Sequence, residues 1–266
     1  MSFSIEGKTA IVTGAANGVG LAIARHFADK GANVMLADMD ESQLIKECGS
    51  PEDDSSIRFY AGDLRERLTM ANLLSATLDA FDRVDILVNG SRQLLTSDPL
   101  DLDDDTVEKL LSQNLMTGYR MTQLVAQRMI KQAEGQEEGQ VGAIVNLSSI
   151  AARRTHPELL GYSVSCAALD QMTRSMAVAL APKRIRVNAV AFGSVMSSSL
   201  KDTLREHRSY RSDIEEHTPL GRIAAPRELA ESVQFLSCEG AGFVTGQIMT
   251  VDGGRTLLDP VAAPAH

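Results

Sequence analysis

The chain has 266 residues, 44% of them hydrophobic and 23% charged, with a formal net charge of −9 at pH 7. That length holds one large α/β domain or two small ones, and the composition excludes a disordered chain. The acidic balance argues against nucleic acid or an anionic membrane surface as a partner. Cys48, Cys166 and Cys238 are too few and too widely spaced to frame a zinc site or a disulfide scaffold, and they suit a reducing cytoplasm. No basic start with an apolar core stands at the N-terminus, and no apolar run reaches membrane-spanning length. The expectation is a soluble cytoplasmic protein with no metal and no membrane partner.

In chain order, an apolar β-type run, Thr9-Ala10-Ile11-Val12, leads into Thr13-Gly14-Ala15-Ala16-Asn17-Gly18-Val19-Gly20. An amphipathic run follows, with Val19, Leu21, Ile23, Ala24, Phe27 and Ala28 as its apolar positions. Strand, glycine turn and helix N-terminus together make an anion site. The turn's N–H groups point outward, the helix dipole adds positive potential, and glycines admit a pyrophosphate to the backbone. The spacing is G-x-x-x-G-x-G rather than G-x-G-x-x-G, so a glycine-rich turn with no ligand is the competing reading. A second apolar run over 32–37 ends at Asp38, where an acid accepts hydrogen bonds from the adenosine ribose hydroxyls. It also repels a 2′-phosphate, and the adjoining Met39 and Asp40 offer no arginine to receive one, which favours NAD over NADP. The competing reading of Asp38 is an N-cap for a helix beginning near Glu41.

After a polar stretch at 48–56, Ile57–Ala61 reads as a strand that ends at Gly62-Asp63-Leu64. A helix carries Met70, Leu73, Leu74, Thr77, Leu78 and Phe81. The run 84–88 is a buried strand ending at Asn89-Gly90-Ser91. The acidic run 101–105 caps one long helix carrying Val107, Leu110, Leu111, Leu115, Met121, Leu124, Val125 and Met129. A surface loop at 131–140 precedes a strand at 141–147 closed by Ser148-Ser149. A helix over about Leu160–Leu180, a strand at 185–190, a polar irregular stretch at 193–219, a helix near 227–236 and a strand at 247–251 complete the pattern. The tail at 257–266 looks weakly ordered. Seven continuous apolar strands alternating with helices predict one doubly wound, Rossmann-type α/β domain over 1–256. Its seven-stranded, mainly parallel sheet is covered on both faces. Ligands of such sheets sit beyond the carboxyl ends of the strands, at Gly14, Asp38, Asp63, Asn89, Ser149 and Phe192-Gly193 here.

Tyr162 opens a helix shortly after Ser149. A phenol titrates near ~10, so proton transfer at neutral pH needs a nearby cation or strong donors. A lysine at i+4 would share its helix face, but position 166 holds Cys.

The ordered set Thr13-Gly14-x-x-x-Gly18-x-Gly20, Asp38, Asp63-Leu64, Val88-Asn89, Asn114, Ser149, Tyr162 and Gly246-Gln247…Val251-Asp252-Gly253-Gly254 resembles the short-chain dehydrogenase/reductase family over nearly the whole chain. The likeness is greatest to the branch of 3-oxoacyl-carrier-protein reductases and NAD-dependent sugar, polyol and hydroxysteroid dehydrogenases. The resemblance implies that Gly14, Asn17, Gly18, Val19, Gly20, Asp38, Met39, Gly90 and Tyr162 contact the dinucleotide. It implies that Asp63 bonds the adenine amine, that Leu64 lines its pocket and that Asn89 sits beside the adenosine ribose. Val195 would offer its backbone to the nicotinamide carboxamide. Asn114 would hold a relay water, Ser149 would steady the substrate oxygen and Tyr162 would be the acid/base. A substrate lid falls around 194–218, and the long helices 106–131 and 160–180 imply a homodimer or homotetramer.

Three departures stand out. The family's Tyr-x-x-x-Lys reads Tyr162-Ser163-Val164-Ser165-Cys166, its Asn-Asn-Ala-Gly reads Asn89-Gly90-Ser91-Arg92, and its Pro-Gly after the sixth strand reads Phe192-Gly193. Cys166 supplies no cation in either protonation state. Arg92, Arg153 and Arg154 are candidate substitutes, and a solvated loop arginine is the default reading of each. A nucleophilic Cys166 lacks a neighbouring base. Arg205, His207, Arg208 and Arg211 in the lid either greet an acidic substrate or pair along a mixed-charge helix, the reading favoured here. The expected function is NAD(H)-dependent interconversion of a small-molecule secondary alcohol and a ketone. The alternative is a dinucleotide-binding sensor or silent partner subunit that has lost catalysis with the lysine.

Overall fold

A strand covered on both faces has no solvent side to show, and the continuous apolar runs become central strands for that reason. The computed structural model describes residues 2–49 and 55–259. Strands β1 (Thr9–Thr13), β4 (Ile86–Asn89), β5 (Gly142–Ser149) and β6 (Ile185–Phe192) are buried along their whole length. Strand β2 (Asn33–Asp38) buries its four central residues, and β3 (Ile57–Ala61) and β7 (Ile248–Val251) form half-buried edges. The order is β3-β2-β1-β4-β5-β6-β7 and every pairing is parallel. The expected mainly parallel sheet is wholly parallel. Strand order reverses between β1 and β4, and the crevice beyond their carboxyl ends is where such sheets bind ligands.

Successive side chains of a strand point to opposite faces, and the two cores follow that alternation. Val12, Val34, Val88 and Val145 face α1 (Gly18–Asp29) and α9 (Pro226–Ser237), whose Ile23, Phe27, Leu229 and Val233 complete one core. Ile11, Met35, Leu87 and Ile144 face the other way, against Leu73 of α3 (Arg67–Phe81) and Met121, Val125 and Met129 of α5 (Thr117–Gln132). Helix α2 (Glu41–Cys48) follows β2, and α6 (Leu160–Leu180) has the bounds expected from its sequence.

Two stretches differ from expectation. The single long helix is divided into α4 (Thr106–Leu110), a π turn over Leu111–Met116, and α5. Asp104 caps its start, accepting the Thr106 N–H at 2.7 Å, and the widened turn coincides with Asn114, whose side chain is bound outside the helix. π turns of this kind gather at functional sites. The irregular stretch contains α7 (Ser198–Glu206) and α8 (Ser209–Glu216). The charge pairs Asp202–Arg205 and Arg211–Glu215, one helical turn apart, bear out the mixed-charge helix favoured from the sequence, as two helices rather than one. The tail expected at 257–266 lies outside the described residues from 260 onward, as does most of the polar stretch at 48–56.

Candidate active site

The glycine turn is built by close backbone approach. Gly14 has φ 68°, and a Cβ there would stand 2.5 Å from the Gly90 carbonyl oxygen, so the β1 and β4 turns touch. A Cβ at Gly20 would run into the Gly14 carbonyl. Above Gly18 (φ 57°), by contrast, only Ser197 lies near, at 3.7 Å from where a Cβ would be. The cradle therefore opens toward the start of the lid. Helix α1 begins at Gly18, Asn17 makes no side-chain cap bond, and the first turn holds no acid. Its leading N–H groups are thus available to an anion, while Val19 is buried beneath them.

Asp38 closes the cradle from β2. Its Oδ2 accepts the Ala16 N–H at 3.1 Å and its Oδ1 accepts the Asp40 N–H at 3.2 Å. The cap of α2 is Asp40, which accepts the Gln43 N–H at 3.0 Å, so the N-cap reading of Asp38 is corrected. Met39 is 67% exposed beside it. Asp63 is gripped by Arg65, whose Nη2 donates at 2.6 Å, and that bond holds its carboxyl below the usual range. Leu64 is buried in the core below. An open glycine cradle, an uncapped helix start and a carboxylate at the second strand's end fit a dinucleotide.

The loop after β4 is tied down on both sides of Arg92. Thr13 Oγ1 accepts the N–H groups of Gly90 (3.0 Å) and Ser91 (3.1 Å). Asn114 Oδ1 accepts the Gln93 N–H at 2.8 Å, and its Nδ2 donates to the Gln93 carbonyl (2.9 Å) and to Ser165 Oγ (3.1 Å). Asn89 faces inward: its Nδ2 donates to Asn146 Oδ1 (2.8 Å) and Thr122 Oγ1 (3.1 Å). Its Oδ1 is buried with no partner and lines a pocket shared with Thr13, Arg92, Asn114, Tyr162 and Cys166.

Tyr162 projects into that pocket from the first turn of α6, packed with Leu110, Ala151 and Cys166. Burial pushes its phenol above the ordinary value; the Arg92 charge and a hydrogen bond with the Ser149 hydroxyl oppose the rise, and the neighbouring Cys166 adds to it. Burial likewise pushes the Cys166 thiol up to about 11, so it is neutral at physiological pH and no nucleophile. The cation at the site is Arg92. Its Nη1 donates to Tyr162 Oη at 3.0 Å and its guanidinium lies 4.2 Å over the Phe192 ring. The default reading of Arg92 as a free solvated loop residue is corrected: the residue is exposed, but its tip turns inward. Arg153 donates instead to Thr250 Oγ1 and Arg154 to the Thr256 carbonyl. Val195, buried, pairs with Ala224 at the foot of the lid. Sequence reasoning named Arg92 and Phe192 as separate departures and missed their contact. The signal was that both occur in one chain with Cys166.

An all-parallel sheet with this order, a glycine cradle at its reversal and a serine–tyrosine pair beside it define a Rossmann-type oxidoreductase. A family model described as Enoyl-(acyl carrier protein) reductase matches residues 14–256. The chain belongs to the short-chain dehydrogenase/reductase family, whose members act on CH–OH or carbonyl groups with nicotinamide dinucleotides. It is 33% identical to L-rhamnose 1-dehydrogenase (NAD(P)(+)) of Sphingomonas sp. (strain SKA58), covering 94% of this chain and 96% of that protein. It is 32% identical to 3-oxoacyl-[acyl-carrier-protein] reductase of Thermotoga maritima, over 95% and 99% of the two chains. Among solved structures, 7α-hydroxysteroid dehydrogenase complexed with NADH and 7-oxo glycochenodeoxycholic acid superposes with a TM-score of 0.85 at 29% identity, covering 95% and 96% of the chains. A putative gluconate dehydrogenase from Agrobacterium tumefaciens gives 0.87 at 26% identity, covering 97% and 99%.

Proposed function

We propose that the protein is an NAD(H)-dependent oxidoreductase that interconverts a small secondary alcohol and a ketone, with Tyr162 as acid/base. The observation that carries this reading is the Tyr162 phenol held at 3.0 Å by the Arg92 guanidinium, in a pocket also lined by Thr13, Asn89 and Asn114 and with the Ser149 hydroxyl acting on the phenol. Bound nicotinamide supplies or accepts the hydride. Tyr162 takes the alcohol proton on oxidation and returns it to the carbonyl oxygen on reduction, and Ser149 donates a hydrogen bond to that oxygen. The cradle at Gly14, Asn17, Gly18 and Gly20 holds the pyrophosphate. Asp38 accepts the ribose hydroxyls, which makes NAD the preferred cofactor. Met39, Asp63 and Leu64 would hold the adenine, Asn89 and Gly90 would back the cofactor, and the Val195 backbone would meet the carboxamide. Asn114 acts by fixing the loop that carries Arg92, since its side-chain amide is already bonded to Gln93 and Ser165.

The proposed unit is one domain, 1–256, with 194–218 as a lid. Leu160, Val164 and Val178 are exposed on α6 at spacings that bring them to one face, which supports a homodimer or homotetramer packed through that helix. Three free thiols suit a cytoplasmic setting. The second reading, a dinucleotide-binding sensor or silent subunit, draws on the neutral Cys166 and the raised phenol. One experiment separates them: NADH consumption against ketoses, oxosteroids and 3-oxoacyl thioesters. Turnover on any of them supports the oxidoreductase, and NADH binding with no turnover on the whole set supports the sensor.

A further inference from the structure

Resting on the reading of Tyr162 as acid/base, the geometry points to Arg92 as the cation partner of Tyr162. Its guanidinium does the work that a lysine four residues after the tyrosine would do, and the Phe192 ring holds it there. The three departures from the family pattern are then one compensated change: the loss of a cation at 166, the gain of one at 92, and an aromatic seat for it at 192.

Four observations carry this. Arg92 Nη1 lies 3.0 Å from Tyr162 Oη, and a guanidinium has donors only, so the phenol oxygen is the acceptor and the bond favours its ionised form. The Phe192 face beneath the guanidinium, at 4.2 Å, gives a cation–π seat that a proline could not offer. The backbone at 90, 91 and 93 is pinned by Thr13 and Asn114, so the arginine is aimed by the fold. The other candidate cations, Arg153 and Arg154, are bonded elsewhere. Among the described residues, Arg92, Cys166 and Ser149 act on the phenol. Arg92 approaches from the β4 loop and is the largest influence opposing burial, with the Ser149 hydroxyl from β5 helping it. Cys166 from α6 is a neutral thiol, and Asp170, bonded to the Ser148 hydroxyl at 2.6 Å, acts on that thiol. In oxidation the alcohol O–H bond breaks, its proton joins the Tyr162 oxygen, the C=O bond forms and the hydride leaves to the oxidised nicotinamide. Arg92 stabilises the phenolate before the step and keeps its proton throughout.

The test is ultraviolet difference titration of the full chain, with and without NAD, in which Tyr162→Phe isolates one phenol among four tyrosines in a protein without tryptophan. Arg92→Met is expected to raise the Tyr162 midpoint by about one to three pH units. Phe192→Leu should raise it less, and Cys166→Lys in the Arg92→Met background should bring it back down. Where a substrate turns over, the rising limb of the pH–kcat profile should move by the same amount, with circular dichroism unchanged. A Tyr162 midpoint unmoved by Arg92→Met overturns the inference, and so does an unmoved midpoint with tightened NADH binding, which would make Arg92 a plug. A shifted midpoint with no turnover on the carbonyl set upholds the Arg92–Tyr162 pair and rejects the oxidoreductase reading.

Discussion

Cys166 occupies the helix face that Tyr162 shares, and its effect on the protein is measurable without any substrate. The free thiol ionises near 9.0, and burial holds the folded one to about 11. Between those values the unfolded chain has released a proton that the folded chain retains. Stability is therefore unaffected below pH 9 and falls as pH rises toward 11, by about 1.4 kcal/mol for each pH unit crossed. Cys166→Ala should remove that part of the alkaline loss, read as a smaller fall in the urea midpoint between pH 9 and 11 than wild type shows. Parallel falls in the two proteins would contradict the buried, neutral thiol. At this scale the sequence was legible in identity and illegible in direction. Cys166, Arg92 and Phe192 could each be picked out, but chain position says nothing about where a long arginine side chain folds. Arg92 sits in an exposed loop like many solvated arginines, and only the distances to Tyr162 and Phe192 distinguish it.

At the scale of elements, the proposed preference for NAD rests on the carboxyl end of β2. The Asp38 carboxylate accepts the Ala16 N–H, which holds it against the glycine turn, and the proposal has it disfavour a 2′-phosphate there. Removing that charge with Asp38→Ala should weaken NADH binding and narrow its advantage over NADPH by about tenfold or more, given roughly 1–4 kcal/mol for charges at contact distance near a surface. Fluorescence titration with both cofactors checks this; an unchanged ratio would show that Asp38 does not discriminate. Strands and most helices were readable because burial on both faces leaves an unbroken apolar run, and α6 matches its expected span. One element was not. The π turn at Leu111–Met116 adds no apolar signal to the helix it interrupts, since it is marked only by the outward bonding of Asn114. Helices α7 and α8 were legible through their charge spacing, as a mixed-charge helix, but not through apolar pattern, and their division into two was not.

At the scale of the whole molecule, the parallel sheet brings Gly14, Asn89, Ser149 and Phe192, distant in sequence, to one edge. Register explains the arrangement: Asn89 lies opposite Asn146 and Ser149 opposite Phe192. The loop after β4 can thus reach from the cradle to Tyr162 in three residues. Leu160, Val164 and Val178, the last at 77% exposure, stand on one face of α6. Light scattering is expected to give the mass of two or four chains, and Val178→Asp is expected to lower it; the mass of one chain would remove the proposed assembly. Sequence reasoning reached the fold and the cradle because both are written in local pattern. The pairing of Arg92 with Tyr162 is a property of a loop, a helix start and a strand end meeting in space.

In the proposed reaction Tyr162 moves the proton while the nicotinamide carries the hydride. The most direct test is the rate of NADH oxidation by wild type and Tyr162→Phe on the best carbonyl substrate, with NADH affinity measured alongside. A fall in kcat of about 10²–10⁴ with cofactor affinity unchanged is the predicted result. Turnover that survives the loss of the phenol would rule out Tyr162 as the acid/base.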